Sequence, residues 1–178
     1  MILQLTPNTH PILHEKVKPC SHDLDRHEMS RILKENMVHY NGIGLSANQI
    51  GIIERVFVMM LNIETEETIT CYNPRIIKRY DDNVWCEEGC LSFPDEIINI
   101  QRPDRIVVKY EDEDKKEHKI KLDGFAARVF QHEFDHLQGK LYLEYASDLK
   151  LQRAMKKRDK KIKVLETDLA LRKMDNES

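Results

Sequence analysis

No apolar run in this sequence approaches the roughly 20 residues that a membrane-spanning helix requires. The opening stretch, Met1-Ile2-Leu3-Gln4-Leu5, is apolar but very short. It lacks the basic start, long apolar core and small-residue cleavage site of a secretory signal, and the Arg- and Ser-rich character of a transit peptide. The expectation is a cytoplasmic protein without a membrane partner. A basic excess is missing too. The net charge of -3 argues against non-specific nucleic-acid binding, and nothing points to specific DNA recognition. Neither repeats nor linkers divide the chain. Cysteine is sparse: Cys20, Cys71, Cys86 and Cys90. In the cytosol these thiols stay reduced, so metal binding or catalysis is a better reading than disulfides.

What is present suits a globular chain. Its 178 residues can bury roughly 70% of the surface exposed on unfolding, so no staples are needed. His22 to Tyr40 predicts a helix, with Met29, Ile32, Leu33, Met37 and Tyr40 on one stripe and Asn41-Gly42 as the stop. Ile43 to Gly51 reads as a Gly-punctuated loop with extended pieces. Arg55 to Leu61 reads as a buried strand. Thr68 to Tyr72 and Pro74 to Tyr80 read as two more, punctuated by Asn73-Pro74. Ile97 to Gln101 and Arg105 to Tyr110 are strands split by Arg102-Pro103-Asp104. His118 to Leu122 pairs back across the charged turn Glu111 to Lys116.

Phe125 to Gln138 predicts a second helix, ended by Gly139. Asp148 to about Lys173 predicts a long third. Its seam is Leu151, Met155, Ile162, Leu165 and Leu169, interrupted by Arg158. The seam is expected to pack on the body, with a helix partner or dimer contact as the alternative. The sum is one α+β domain over 1–178, with a core at 1–147 and a C-terminal helix and tail at 148–178.

The strongest local signal is His132-Glu133-Phe134-Asp135-His136. Residues four apart on a helix lie one turn apart on one face, so both imidazoles can reach one metal ion. Glu133 can then act as general base on a water. The bland alternative is a pair of ordinary histidines on a charged helix. A catalytic site needs a third ligand. In one large class of zinc proteases the pattern continues through Gly to a third His. Gly139 is present here, but position 142 is Tyr142, which disfavours that branch. A thermolysin-like Glu further along stays open, and a cysteine is the other choice. Cys90 lies in the turn-rich run Glu87-Glu88-Gly89-Cys90-Leu91-Ser92-Phe93-Pro94, and a thiolate beside a divalent metal is deprotonated outright. Taken alone, such a cysteine reads more simply as a small buried hydrophobe.

Three segments together resemble the peptide deformylase family. They are Gly42-Ile43-Gly44-Leu45-Ser46-Ala47-Asn48-Gln49, the run Glu88 to Pro94, and Gln131-His132-Glu133-Phe134-Asp135-His136-Leu137-Gln138-Gly139. Order and spacing match, and the similarity extends to about residue 150. The first motif usually reads Gly-x-Gly-Leu-Ala-Ala-Pro-Gln. Ser46 replaces an alanine here and Asn48 the proline, which restores an N–H and predicts a less rigid loop before Gln49. Asp95-Glu96-Ile97 lacks the Arg that many bacterial members carry.

The resemblance implies antiparallel sheets packed around a central metal-binding helix, with an N-terminal helix and a long C-terminal one. It implies that Cys90, His132 and His136 hold one divalent metal, leaving a fourth position for water. Iron(II) is the implied native ion, with nickel, cobalt or zinc as substitutes. Glu133 becomes the proton carrier. The Gln49 amide and the Leu91 N–H stabilise the oxyanion, each such donor being worth about 10²–10³ in rate. The substrate is an N-formyl-methionyl peptide, held extended along Ile43, Gly44 and Leu45, and the product is formate. Phe125 and Val129, on the face of His132, are candidates for the methionine pocket; plain core is the alternative. Glu88, buried and paired with Arg102, supports the site, since an unpaired buried carboxylate is costly. The C-terminal helix is a candidate contact with the ribosome.

Two other readings use the same residues. A zinc peptidase would cleave peptide bonds and take a third ligand other than Cys90. A closed structural zinc site would combine Cys86-x₃-Cys90 with the two histidines. On a regular strand, however, residues four apart lie about 13 Å apart, so Cys86 is not expected to be a ligand.

Overall fold

The computed structural model describes the backbone of residues 1–176 and the side chains of residues 1–167. The Leu169 side chain of the expected seam and residues 177–178 lie outside this description. A 3₁₀ turn at Pro11–Leu13 precedes helix α1, Arg26–His39. The helix starts at Arg26 rather than His22 because the Asp25 side chain accepts from the Glu28 N–H at 3.0 Å. That satisfies one of the orphan donors of the first turn. The expected stripe faces inward through Met29, Leu33 and Met37.

Seven strands follow: β1 (Gly44–Ser46), β2 (Val56–Asn62), β3 (Glu67–Arg79), β4 (Asn83–Cys90), β5 (Phe93–Pro103), β6 (Arg105–Glu111) and β7 (Glu117–Asp123). Five form an antiparallel sheet in the order β1-β2-β3-β6-β7, and β4 and β5 form a separate antiparallel pair. The loop expected at Ile43 to Gly51 is thus an edge strand followed by a 3₁₀ turn, Ala47–Ile50.

Two strand expectations need correction. The pair divided at Asn73-Pro74 is one strand, because the register shifts between Tyr72 and Arg75. Asn73 takes φ 49°, and a bulge is where a strand tolerates proline. β4 is a strand that the sequence did not announce. Most of its side chains are exposed, so it has no apolar alternation to read; β5 supplies its pairing.

Helix α2 (Gly124–His136) packs on one face of the larger sheet and α1 on the other. Strand β2 explains both. Phe57 and Met59 point into the cluster with Val129, Phe130 and Leu137, whereas Val56 and Val58 point to Met29, Leu33 and Met37. Successive strand residues face opposite ways, so a strand covered on both sides reads as a continuous apolar run. Phe130 stands edge-on to Phe57 with centroids 5.1 Å apart. Burying such a ring contributes roughly 1.5–3 kcal/mol. α2 ends at His136, not Gln138, because the chain turns at Gly139 (φ 69°). A Cβ there would lie 2.6 Å from the His14 carbonyl oxygen, so only glycine fits.

A 3₁₀ turn at Tyr142–Tyr145 leads to α3 (Asp148–Asn176). Here the expected packing is largely overturned. Leu151 and Ala154 join Phe93, Ile98 and Ile100, but Met155, Ile162 and Leu165 are exposed at 46%, 39% and 54%. Arg158, the expected break in the seam, instead reaches β5: it pairs with Glu96, and Lys161 pairs with Asp95. No helix among the described residues is long and apolar enough to cross a membrane.

Candidate active site

α2, the end of the β4–β5 hairpin and the edge strand β1 meet at a cavity of about 860 Å³. Helical spacing puts His132 and His136 on one face, with ring centroids 5.0 Å apart. The hairpin turns at Leu91-Ser92, pairing Cys90 with Phe93, and this presents the thiol to the helix. Ligand atoms of Cys90, His132 and His136 all lie within 4.8 Å of one another. Cys90 Sγ is 3.3 Å from His136 Nε2. Cys86 is exposed and sits opposite Ile100 in the ladder, outside this group. Tyr142 is committed elsewhere: its hydroxyl donates to the Glu96 carbonyl at 2.5 Å.

The surrounding hydrogen bonds prepare the histidines. His132 Nδ1 lies 3.1 Å from Glu88 Oε2. Donating there leaves Nε2 free to ligate, the arrangement that orients a metal-binding imidazole. Glu88 also accepts from Arg102 Nε at 2.7 Å, Arg102 Nη2 at 3.0 Å and Arg128 Nη1 at 3.0 Å. Arg102 reaches on to Asp135 at 2.6 Å. Burial alone would raise the Glu88 carboxyl, but His132 and Arg102 outweigh it and hold the pKa at about 2. Burial would lower His132, yet bonds to Cys90 and Glu88 raise it to about 10, so without an ion the ring holds a proton that a bound metal would displace from Nε2. Burial pushes His136 well down, which keeps that imidazole neutral and able to donate a lone pair. A cysteine sulfur, two imidazoles and a carboxylate behind one of them suit a divalent ion.

Gln49 is buried, and its Oε1 accepts from the Ser46 N–H at 2.9 Å. This turns Nε2 towards Cys90 Sγ, at 3.4 Å, and Ser92 Oγ, at 3.3 Å. Asn48 Nδ2 donates to the His136 carbonyl at 2.8 Å and ties the turn to α2. Glu133 lies 3% exposed on the cavity wall. Burial raises its carboxyl, against the pull of His132 and Ser46.

Ile43, Gly44, Leu91, Phe125 and Val129 also line the cavity. Phe125 and Val129 belong at the same time to the core beneath. The Leu45 side chain is fully buried beside Met29, Leu33 and Met37, so only its backbone is in place to meet a ligand. Arg128, Asp135 and Ser92 were not singled out from sequence. Arg128 precedes His132 by one helical turn, a spacing that could have flagged it. Ser92 had no such signal.

Residues 2–152 match the family model described as polypeptide deformylase. The chain belongs to that family. It is an enzyme that removes the N-formyl group from nascent chains, and the family is metal-dependent. The peptide deformylase of Wolbachia pipientis wMel is 40% identical over 143 residues, which is 75% of this chain and 80% of that protein. The crystal structure of the Thermotoga maritima peptide deformylase superposes with a TM-score of 0.77 at 36% identity, covering 83% of this chain and 99% of that one. The Acinetobacter baumannii enzyme, crystallised with Met-Ala-Ser bound, gives a TM-score of 0.76 at 28% identity, over 82% of this chain and 99% of that one. The peptidase and structural-zinc readings are not favoured.

Proposed function

We propose that deformylation proceeds in the cavity between α2, β1 and β4, with Cys90, His132 and His136 holding the metal. The convergence of the three ligand atoms with Glu133 on one cavity wall carries this reading. A divalent ion, when bound, supplies the Lewis acidity that makes water a nucleophile near neutral pH. Iron(II) is the proposed native ion, with nickel, cobalt or zinc able to replace it. Glu133 takes the proton of the attacking water and returns it to the leaving amine. The Gln49 Nε2 and the Leu91 N–H donate to the oxyanion formed at the formyl oxygen. Glu88 and Arg102 hold His132 in its donating orientation.

The substrate is an N-formyl-methionyl peptide, as the Met-Ala-Ser complex of the Acinetobacter enzyme suggests. β1 lies at the edge of its sheet and β4 pairs only with β5, and both border the cavity. An extended peptide can pair with such free edges, its methionine reaching Phe125 and Val129. We assign catalysis to residues 1–147. The exposed Lys156, Lys157 and Lys160 of α3 suit the phosphate-rich surface of a ribosome, which would place the reaction where translation occurs.

Formate release from formyl-Met-Ala-Ser tests the reading, using protein purified without oxygen and loaded with iron or nickel, beside an unformylated peptide. Formate without chain cleavage is the expected result. Cleavage of an internal amide would sink it. Cys86→Ser should keep its metal; losing it would restore the structural-zinc reading.

A further inference from the structure

Ser46 stands where the family pattern carries alanine, so the shared mechanism gives its hydroxyl no task. The side chain is fully buried. Its Oγ lies 2.5 Å from Glu133 Oε2 and 3.1 Å from the Glu133 carbonyl oxygen. A hydroxyl has one proton to give. The carboxylate oxygen is much the nearer acceptor, so the hydroxyl donates there. The other carboxylate oxygen is bounded by the same strand: a Cβ on Gly44 would lie 2.5 Å from Glu133 Oε1. One oxygen is therefore tethered, and the other rests against a bare Cα on the cavity wall.

The helix fixes only the backbone of Glu133. Its side chain has several torsions of its own, and a carboxylate free to sample them is a poorer proton carrier than one already in place. The same residue acts on the second catalytic group, because the Ser46 N–H holds Gln49 Oε1.

We propose that Ser46 is a positioning residue for the reaction: its hydroxyl holds Glu133 Oε2, leaving Oε1, beside Gly44, to exchange the proton. This rests on the role given to Glu133 above. Asn48, the other departure from the family pattern, binds the α2 terminus through the His136 carbonyl and has no bond to the Glu133 carboxylate. It separates a specific contact from general loop rigidity.

The experiment uses the full metal-loaded chain and formyl-Met-Ala-Ser. Ser46→Ala should fold, since it only removes an oxygen. It should lower kcat about tenfold, the scale of one lost bond to a charged group, with KM and bound metal unchanged. Crystals of this variant should show the Glu133 carboxylate in more than one rotamer. Asn48→Ala should lower Tm and cost less kcat. Four results would overturn the proposal: unchanged kcat in Ser46→Ala, a change confined to KM, a single Glu133 rotamer, or an equal kcat loss in Asn48→Ala. An inactive wild-type protein would sink the deformylase reading and this one together; an active wild type with an equally active Ser46→Ala sinks the positioning role alone.

Discussion

Helices α2 and α3 both show amphipathic sequences, yet they behave as opposites. α2 has 13 residues and buries Ala127, Val129, Phe130, Gln131, Glu133, Asp135 and His136. α3 has 29 residues, and most of its described side chains are exposed. The contacts differ in kind. α2 is locked by aromatic packing and by the buried set Glu88, Arg102 and Asp135. α3 is held by Leu151 and Ala154, by the pairs of Arg158 and Lys161 with β5, and by Lys150 lying 3.7 Å over the Trp85 ring. Periodicity reports that a helix has an apolar side. It does not report whether anything covers that side.

Substitutions should grade along this contrast. On α2, Glu133→Ala is expected to keep fold and metal and to lose about 10²–10⁴ in turnover. Formate release at matched metal content measures this, and a rate near wild type would mean another group carries the proton. Behind the helix, Arg102→Ala leaves Glu88 and Asp135 buried without their shared partner. Breaking such a pair typically costs about 3–5 kcal/mol, readable as a fall in denaturant midpoint at constant slope. A loss below about 1 kcal/mol would put this pair in the class of exposed ones and erase the distinction from α3.

On α3 the effects should be small. The Arg158 side chain is 26% exposed and that of its partner Glu96 8%, so Arg158→Ala should cost about 1–2 kcal/mol, between an exposed pair and a fully buried one. A cost approaching that of Arg102→Ala would show α3 to be as integral as α2. Smallest of all, Met155→Ser and Leu165→Ser should each stay within about 0.5 kcal/mol, as surface changes do. A larger loss that depends on protein concentration would reveal a second copy covering the seam.

The site was legible in unequal parts. The pair His132 and His136 with Glu133 between them could be read directly, because the α-helical repeat alone fixes which residues share a face. Cys90, Gln49 and Leu91 gained meaning only through the resemblance to a family. Nothing local links residue 49 to residue 90 or 132, and the hairpin that joins them contains a strand, β4, without an apolar pattern. The departures at Ser46 and Asn48 were visible as departures. What they do was not, because the partners are Glu133 and the His136 carbonyl, far along the chain.

The sequence by itself determined the elements whose cause is local. These are the stripe of α1, the doubly covered run of β2, the glycine stop after α2 and the histidine spacing on that helix. Helix pitch, strand alternation and the conformational range of glycine act over a few residues and need no partner. Tertiary structure alone decided that Asn73-Pro74 bulges rather than breaks β3, that Arg102 serves both Glu88 and Asp135, that Arg158 anchors α3 while the seam beside it faces solvent, and that a serine hydroxyl meets the Glu133 carboxylate. Each of those outcomes depends on which distant surface arrives opposite a residue, and that is set by the packing of the whole chain.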